Sequence, residues 1–309
     1  MSESEREPDA AYHVPVLLHA VSAAAAGARR VVDATLGDGG HSAAFLAGGA
    51  EILGIDRDPA ALARSGERLG DAHVRYVESA YSAPAALEAV AAFAPEFILL
   101  DLGVSSRQLD ETARGFTFRP GAPLDMRMGT GVSAAELLAE ADEPELTRIF
   151  RDYGDERRAR RLAREILRRR ERAPLVTSDD LVNAIRGALG PGTGPGDFAR
   201  LFQAIRIAVN DELGGLETAL PAFRDALVPG GTLAVISYHS GEDRLVKHFF
   251  RTWEGGCVCP PRQPVCTCSP ISYGRATPRK AVVPAPDEAN TNPRARSAKL
   301  RFFRRHDHA

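Results

Sequence analysis

The residues best suited to chemistry sit in one turn. Leu36-Gly37-Asp38-Gly39-Gly40-His41 follows the run Arg30-Val31-Val32-Asp33-Ala34-Thr35. Gly37, Gly39 and Gly40 permit a tight turn and a close backbone approach to a ligand, because no Cβ stands in the way. Asp56 closes the next apolar run, Glu51 to Asp56, 19 residues after Gly37. A carboxylate there can accept both hydroxyls of a ribose, which suits an adenosine cofactor. Asp101 closes a further run, Phe97 to Asp101. A Gly-rich turn alone is weak, since a plain loop with a capping Asp looks the same. Three consecutive element ends converging on one crevice are stronger, because open parallel sheets bind ligands outside the carboxyl ends of their strands.

Two cofactors compete for that crevice. A nicotinamide dinucleotide rests its pyrophosphate on a helix N-terminus through Gly-x-Gly-x-x-Gly. Here Ser42 takes the third Gly position, and Asp33 and Asp38 surround the turn with negative charge. That charge opposes a diphosphate and favours S-adenosylmethionine, whose sulfonium and amino groups are cationic and which carries no phosphate.

The elements that must position these residues alternate. Strands are expected at Arg30–Thr35, Glu51–Asp56, His73–Val77, Phe97–Asp101, Thr232–Ser237 and Ala298–Phe303. Helices are expected over Ala20–Ala26, from Ser42 to Leu46, from Pro59, and around Leu87, Val90 and Ala91. Alternation at short intervals predicts a parallel sheet with helices on both faces, an α/β fold of Rossmann-like type. Between Gly115 and Arg206 the strand signals stop. Ala159, Leu162, Ala163, Ile166 and Leu167 form one apolar helical stripe. Leu181, Val182, Ile185 and Leu189 form another, with Ser178 as the expected cap and Gly190-Pro191 as the stop. Gly190 to Gly196 reads as a flexible loop. The expected organisation is a tail over 1–11, a discontinuous sheet domain over 12–114 and 207–309, and an inserted all-helical domain over 115–206.

Composition sets outer limits. The chain has 309 residues, 44% hydrophobic and 26% charged, with a net charge of −2. It has ample material for a core, and collagen-like or wholly disordered chains are excluded. A uniformly basic nucleic-acid coat is excluded as well, though a local basic face is not. No stretch approaches the roughly 18 apolar residues that cross a bilayer, so no membrane partner is expected. The start, acidic and polar, lacks a secretory pattern. Four cysteines in this length do not make a disulfide scaffold. The expected location is the cytoplasm.

Read in order, several motifs resemble one family. Asp33-Ala-Thr-Leu-Gly-Asp-Gly-Gly-His41, Gly54-Ile-Asp-Arg-Asp-Pro59 and Leu99-Leu-Asp-Leu-Gly-Val-Ser-Ser106 come first. Gln108-Leu-Asp110, Arg114-Gly-Phe116 and Pro123-Leu-Asp-Met-Arg127 follow. Phe202-Gln-Ala-Ile-Arg206, Val209-Asn210, Ser237-Tyr-His-Ser240, Glu242-Asp-Arg244 and Asn292-Pro-Arg-Ala-Arg296 complete the set. They are similar to the small-subunit ribosomal RNA methyltransferases of the MraW (RsmH) type, from about His13 to Arg301.

The resemblance implies methyl transfer from S-adenosylmethionine to the exocyclic N4 of one cytidine in the decoding region of 16S rRNA. It implies 16S rRNA as partner, within the small ribosomal subunit, with a homodimer left open. It places Gly39, Gly40, His41, Asp56, Asp101 and Gln108 around the cofactor, with Tyr81 in the aromatic position after the third strand.

That reaction sets requirements of its own. The N4 lone pair is delocalised into the ring, so donor and nitrogen must be held in line at near-attack distance. An acceptor for an N4 proton makes the nitrogen more electron-rich. Asp101 and the loop Leu102 to Ser106, with Ser105 and Ser106, are the expected source, although Asp101 serves equally as a cofactor ligand, its preferred role. His239 follows the fifth strand and either contacts the base or satisfies a backbone carbonyl. Tyr81, Phe116, Phe118 and Tyr238 could stack on a flipped base or simply pack.

Between Arg148 and Arg172 eleven Arg face five acids, a local +6. Arg275 to Arg305 is basic too, and phosphate neutralisation would explain both runs, as would solvated faces. Cys257-x-Cys259 and Cys266-x-Cys268 are spaced more tightly than common zinc sites. They are taken as structural, and no catalytic metal is expected. Two other functions compete: a catalytically silent RNA-binding protein on this scaffold, and a nicotinamide-dependent oxidoreductase.

Overall fold

The computed structural model describes residues 14–255, 259, 263, 265, 267 and 271–307. The expected tail over 1–11, and Cys257, Cys266 and Cys268, lie outside the described residues. In chain order the elements are α1 (Leu18–Ala24), β1 (Arg30–Asp33), α2 (Gly40–Ala47), β2 (Glu51–Asp56), α3 (Pro59–Leu69), β3 (Val74–Glu78), α4 (Pro84–Phe93) and β4 (Phe97–Asp101). Then come α5 (Ser106–Asp110), α6 (Ala134–Glu140), α7 (Glu143–Arg148), α8 (Ala159–Arg170), α9 (Ser178–Leu189), α10 (Pro195–Asn210) and α11 (Glu212–Ala226). The chain ends through β5 (Thr232–Ser237), α12 (Ser240–Trp253), β6 (Gly274–Ala276), α13 (Pro286–Thr291) and β7 (Lys299–Arg305).

These elements fall into two compact units. One joins the chain up to Gly103 with Glu217 onward, and the other runs from Val104 to Leu216. The expected boundaries at 114/115 and 206/207 fall inside the second unit.

The first unit holds a seven-stranded sheet in the order β3-β2-β1-β4-β5-β7-β6. β1 lies between β2 and β4 and is parallel to both, so strand order reverses between β1 and β4. That is where an open α/β sheet leaves a crevice. The central strands are apolar throughout because both faces are covered: Phe97 to Leu100 are at most 1% exposed. Val31, Ile52, Phe97, Leu99 and Ile236 pack with Val21 and Phe45. Phe303, one residue on from Phe302, turns to the other face and meets Phe250 and Trp253 of α12 at ring distances of 5.4 and 5.2 Å.

The sheet departs from the expected all-parallel form at one edge. β7 is antiparallel to β5, and β6 is antiparallel to β7. β6 went unforeseen because three residues around a glycine carry no alternation. Gly274 is required there, since a Cβ would collide with the Arg304 carbonyl and the Phe303 ring.

In the second unit the described residues form no strand, only an isolated bridge between Pro123 and Thr177. Its core gathers Leu162, Ala163 and Ile166 of α8, Leu181 and Ile185 of α9, and Leu201 and Ile205 of α10. Leu167, read as part of the stripe, is only partly buried. The cap of α9 is Thr177 rather than Ser178. Asp180 accepts from the Thr177 amide and hydroxyl at 2.8 Å each, so the carboxylate three residues on reaches back to the cap residue. The Ser178 hydroxyl donates to the Arg119 carbonyl instead, at 2.6 Å. Pro195 and Gly196 belong to α10 and not to the expected loop, because Pro is at ease in a first helical turn.

Candidate cofactor site

The ends of β1, β2 and β4 are tied together by hydrogen bonds. The Gly37 amide donates to Asp56 Oδ2 and the Asp58 amide to Asp56 Oδ1, each at 2.8 Å. The Asp101 amide donates to the Thr35 hydroxyl at 2.7 Å. Asp33 is buried; Ser42 donates to its Oδ2 at 2.8 Å and the Thr35 amide to its Oδ1 at 3.4 Å. Burial lifts the Asp33 carboxyl to about 6, against the opposing pull of His41 and Ser42. Burial also raises Asp56, although the Asp58 and Gly37 amides work the other way.

The three glycines divide their labour. Gly39 has φ 72°, and a Cβ there would stand 2.7 Å from Leu69 Cδ1. A Cβ on Gly40 would stand 2.5 Å from Pro15 Cγ. Both are therefore small for the sake of the protein's own packing. Gly37, at φ 52°, has nothing nearer than the Thr35 carbonyl at 4.0 Å. It alone of the three adjoins open space, a distinction the sequence pattern does not make.

Asp101 and His41 complete this end of the sheet. Tyr238 donates its hydroxyl to Asp101 Oδ1 at 2.8 Å. His41 Nε2 lies 3.6 Å from Asp101 Oδ2, too far for a hydrogen bond. His41 is buried, and among the described residues no group hydrogen-bonds either of its ring nitrogens. Buried polar atoms left in this state are rare and signal a missing partner.

The ring of carboxylates is thinner than the sequence suggests. Asp38 receives Arg64 Nε on its Oδ1 at 2.7 Å, and Arg68 donates to its carbonyl at 3.1 Å. Asp33 is turned onto Ser42. The negative charge left for a ligand is that of Asp56 and Asp101. These residues still fit an adenosine-bearing cation. Asp56 has lone pairs beyond those its two amides use, Gly37 leaves room, and His41 and Asp101 offer polar atoms beside the crevice.

The other expected residues fall as follows. Tyr81 lies in the turn between β3 and α4, half-buried at the carboxyl end of the sheet. Ser105 and Gln108 belong to the helical unit and close a capping box on α5. Gln108 Oε1 accepts the Ser105 amide at 2.9 Å, and Ser105 Oγ accepts the Gln108 amide at 3.2 Å. Ser106 is the first residue of α5. His239 is the N-cap of α12, with Nδ1 accepting the Glu242 amide at 3.4 Å, so its backbone partner is an amide and not the expected carbonyl.

Sequence reasoning quoted Glu242 in a motif but gave it no role; it is 2% exposed and its Oε2 accepts the Tyr238 and His239 amides at 2.8 and 3.2 Å. The three-residue spacing from His239 to Glu242 is a capping-box interval and could have revealed it. It also missed the task of the Tyr238 hydroxyl.

In the helical unit, Phe116 and Phe118 line a cavity of about 300 Å³ with Met126, Phe202, Gln203 and Arg206. Phe118 sits edge-on to Phe202 at 6.1 Å. The arginines of the basic run are mostly engaged. Arg160 and Arg164 pair with Glu143, and Arg168 and Arg169 with Glu165. Arg170 donates to the carbonyls of Leu138 and Ala141. Arg157, Arg161 and Arg172 are exposed.

The chain is similar to known proteins along nearly its whole length. The profile of the MraW methylase family matches residues 10–306. The ribosomal RNA small subunit methyltransferase H of Gemmatimonas aurantiaca is 58% identical, over 95% of this chain and 95% of its own. That of Heliobacterium modesticaldum is 48% identical, over 94% of this chain and 97% of its own. Among solved structures, an rRNA methylase from Streptococcus thermophilus aligns with a TM-score of 0.41 and 12% identity, covering 94% of this chain and 93% of its own. A match along nearly the whole length, with relatives this similar, decides the family: the chain belongs to the MraW methylase family.

Proposed function

We propose that the chain methylates the exocyclic N4 of one cytidine in the decoding region of 16S rRNA, acting in the cytoplasm on the small ribosomal subunit. The observation that carries the reading is the crevice at the strand-order reversal, where Asp56 and Asp101 end the two strands that flank β1, with open space at Gly37. The relatives' names, ribosomal RNA small subunit methyltransferase H, support an rRNA substrate. S-adenosyl-L-methionine supplies the methyl group.

The residue roles in this reading draw on the family resemblance and on the neighbours each side chain has. Asp56 accepts the ribose hydroxyls. Gly39 and Gly40 shape the turn, and His41 and Asp101 face the polar part of the cofactor. Tyr81 stacks on adenine, and the family resemblance alone assigns Gln108 to the cofactor. The loop Leu102 to Ser106, with Ser105 and Ser106, provides acceptors for an N4 proton, and His239 orients the segment after β5. Methylation needs the target base out of its stack, a cost of a few kcal/mol that is least for an unpaired nucleotide. The helical unit recognises the substrate: its aromatic cavity offers stacking surfaces, and Arg157, Arg161 and Arg172 offer charge for phosphates.

Labelled S-adenosylmethionine and small subunits lacking the modification test the reading. Digestion to nucleosides should place the label in N4-methylcytidine. Label in another nucleoside, or cofactor binding with no transfer, would overturn it. The second outcome would mark a silent RNA-binding scaffold. Running naked 16S rRNA in parallel identifies the form of substrate.

A further inference from the structure

Tyr238 directly follows β5 and is held from several sides. Ser237 pairs in register with Lys299 of β7. Glu242 accepts the Tyr238 amide at 2.8 Å. The ring packs against the apolar layer of Leu99 and Ile236. The loop after β4 passes close by: a Cβ on Gly103 would lie 3.4 Å from Tyr238 Cδ2. With main chain and ring fixed, the hydroxyl points at one target, Asp101 Oδ1, at 2.8 Å.

Asp101 needs such a partner. Its amide is fixed by Thr35, but the last torsion of an aspartate is broad and roughly two-fold, so the backbone does not orient the carboxylate plane. The other oxygen, Oδ2, is the one 3.6 Å from His41 Nε2. A phenylalanine would fill the ring's volume equally well, so the hydroxyl serves the carboxylate rather than the packing.

We propose that Tyr238 is a positioning residue for Asp101, its hydroxyl anchoring Oδ1 so that Oδ2 is presented to the cationic group of the cofactor. This rests on the reading of Asp101 as a cofactor ligand. Burial, and then the charge of Asp101, push the Tyr238 phenol far above its ordinary value, so it remains a donor over the working pH range.

The test is a double-mutant cycle in the full chain with Tyr238→Phe, Asp101→Asn and both together. Calorimetry reads the Kd for S-adenosylmethionine, steady-state kinetics separate KM from kcat, and thermal melting reports folding. Tyr238→Phe should raise Kd and cofactor KM about three- to tenfold, with the loss in KM rather than kcat and no change in melting temperature. In the Asp101→Asn background the same substitution should add nothing. An unchanged Kd in Tyr238→Phe, with Asp101→Asn weakened, would overturn the positioning role alone. Equal losses in both backgrounds would also overturn it, since the effect would not pass through Asp101. An unchanged Kd in Asp101→Asn would overturn the reading of Asp101 and the proposal together.

Discussion

Asp56 accepts the Gly37 amide at 2.8 Å, so the end of β2 and the turn after β1 move as one piece. Asp56→Ala removes the ribose acceptor and releases the Gly37 and Asp58 amides at once. We expect cofactor affinity to fall at least about tenfold, the worth of one hydrogen bond to a charged group. RNA retention should persist. Calorimetry with S-adenosylmethionine and filter binding with rRNA check the two halves, and an unaltered cofactor affinity would refute the ribose assignment.

Asp33 gives the fold a pH dependence of a defined sign. Its carboxyl rises from 3.8 to about 6 on folding, chiefly through burial. The folded state thus holds the proton more tightly. The contribution of Asp33 to stability is fully present below 3.8 and is lost as pH rises through about 6. The shift corresponds to about 3 kcal/mol. Asp33→Asn cannot titrate, so relative to the parent it should gain stability as pH is raised from about 4 to 7. Denaturant titrations of both proteins across that range measure the difference, and parallel pH profiles would contradict the account.

Asn210 braces the segment of the helical unit that carries Met126 in a left-handed conformation, φ 60°. Its Nδ2 donates to the Met126 and Arg206 carbonyls at 2.8 and 2.9 Å, and its Oδ1 accepts the Met128 amide at 2.9 Å. Asn210→Ala removes three hydrogen bonds, two of them between buried groups. We expect a loss of about 2–3 kcal/mol in unfolding free energy. A loss below about 0.5 kcal/mol in chemical denaturation would show that the segment repairs itself without the brace.

Paired arginines contribute little net charge to a phosphate surface, so rRNA affinity should depend on Arg157, Arg161 and Arg172 more than on Arg160, Arg164 or Arg168. Replacing the first three with Gln should weaken binding across RNA sequences alike and lower the salt dependence by about 0.7–0.9 per lost contact. Replacing the second three should do less. The plot of log affinity against log salt for the two triple variants decides, and equal slopes would remove the distinction.

Much of the framework is written locally. β2, β4 and β5 fall on the expected residues because a strand buried on both faces needs an unbroken apolar run, a property of neighbouring residues. The stripe of α8 is visible for the same reason, through its helical period. The acidic strand ends Asp56 and Asp101 follow from where those runs stop, whereas β1 ends at Asp33, two residues short of the expected Thr35.

Tertiary structure decided what those groups do. Arg64 comes from α3 to quench Asp38, 26 residues earlier. Tyr238 reaches Asp101 across 137 residues. Of three glycines alike in sequence, Pro15 and Leu69 occupy the space beside two and leave the third open. Spacing along a chain sets its period and its turns. Charge, protonation and access at a site depend on which distant side chains the fold brings within a few ångströms.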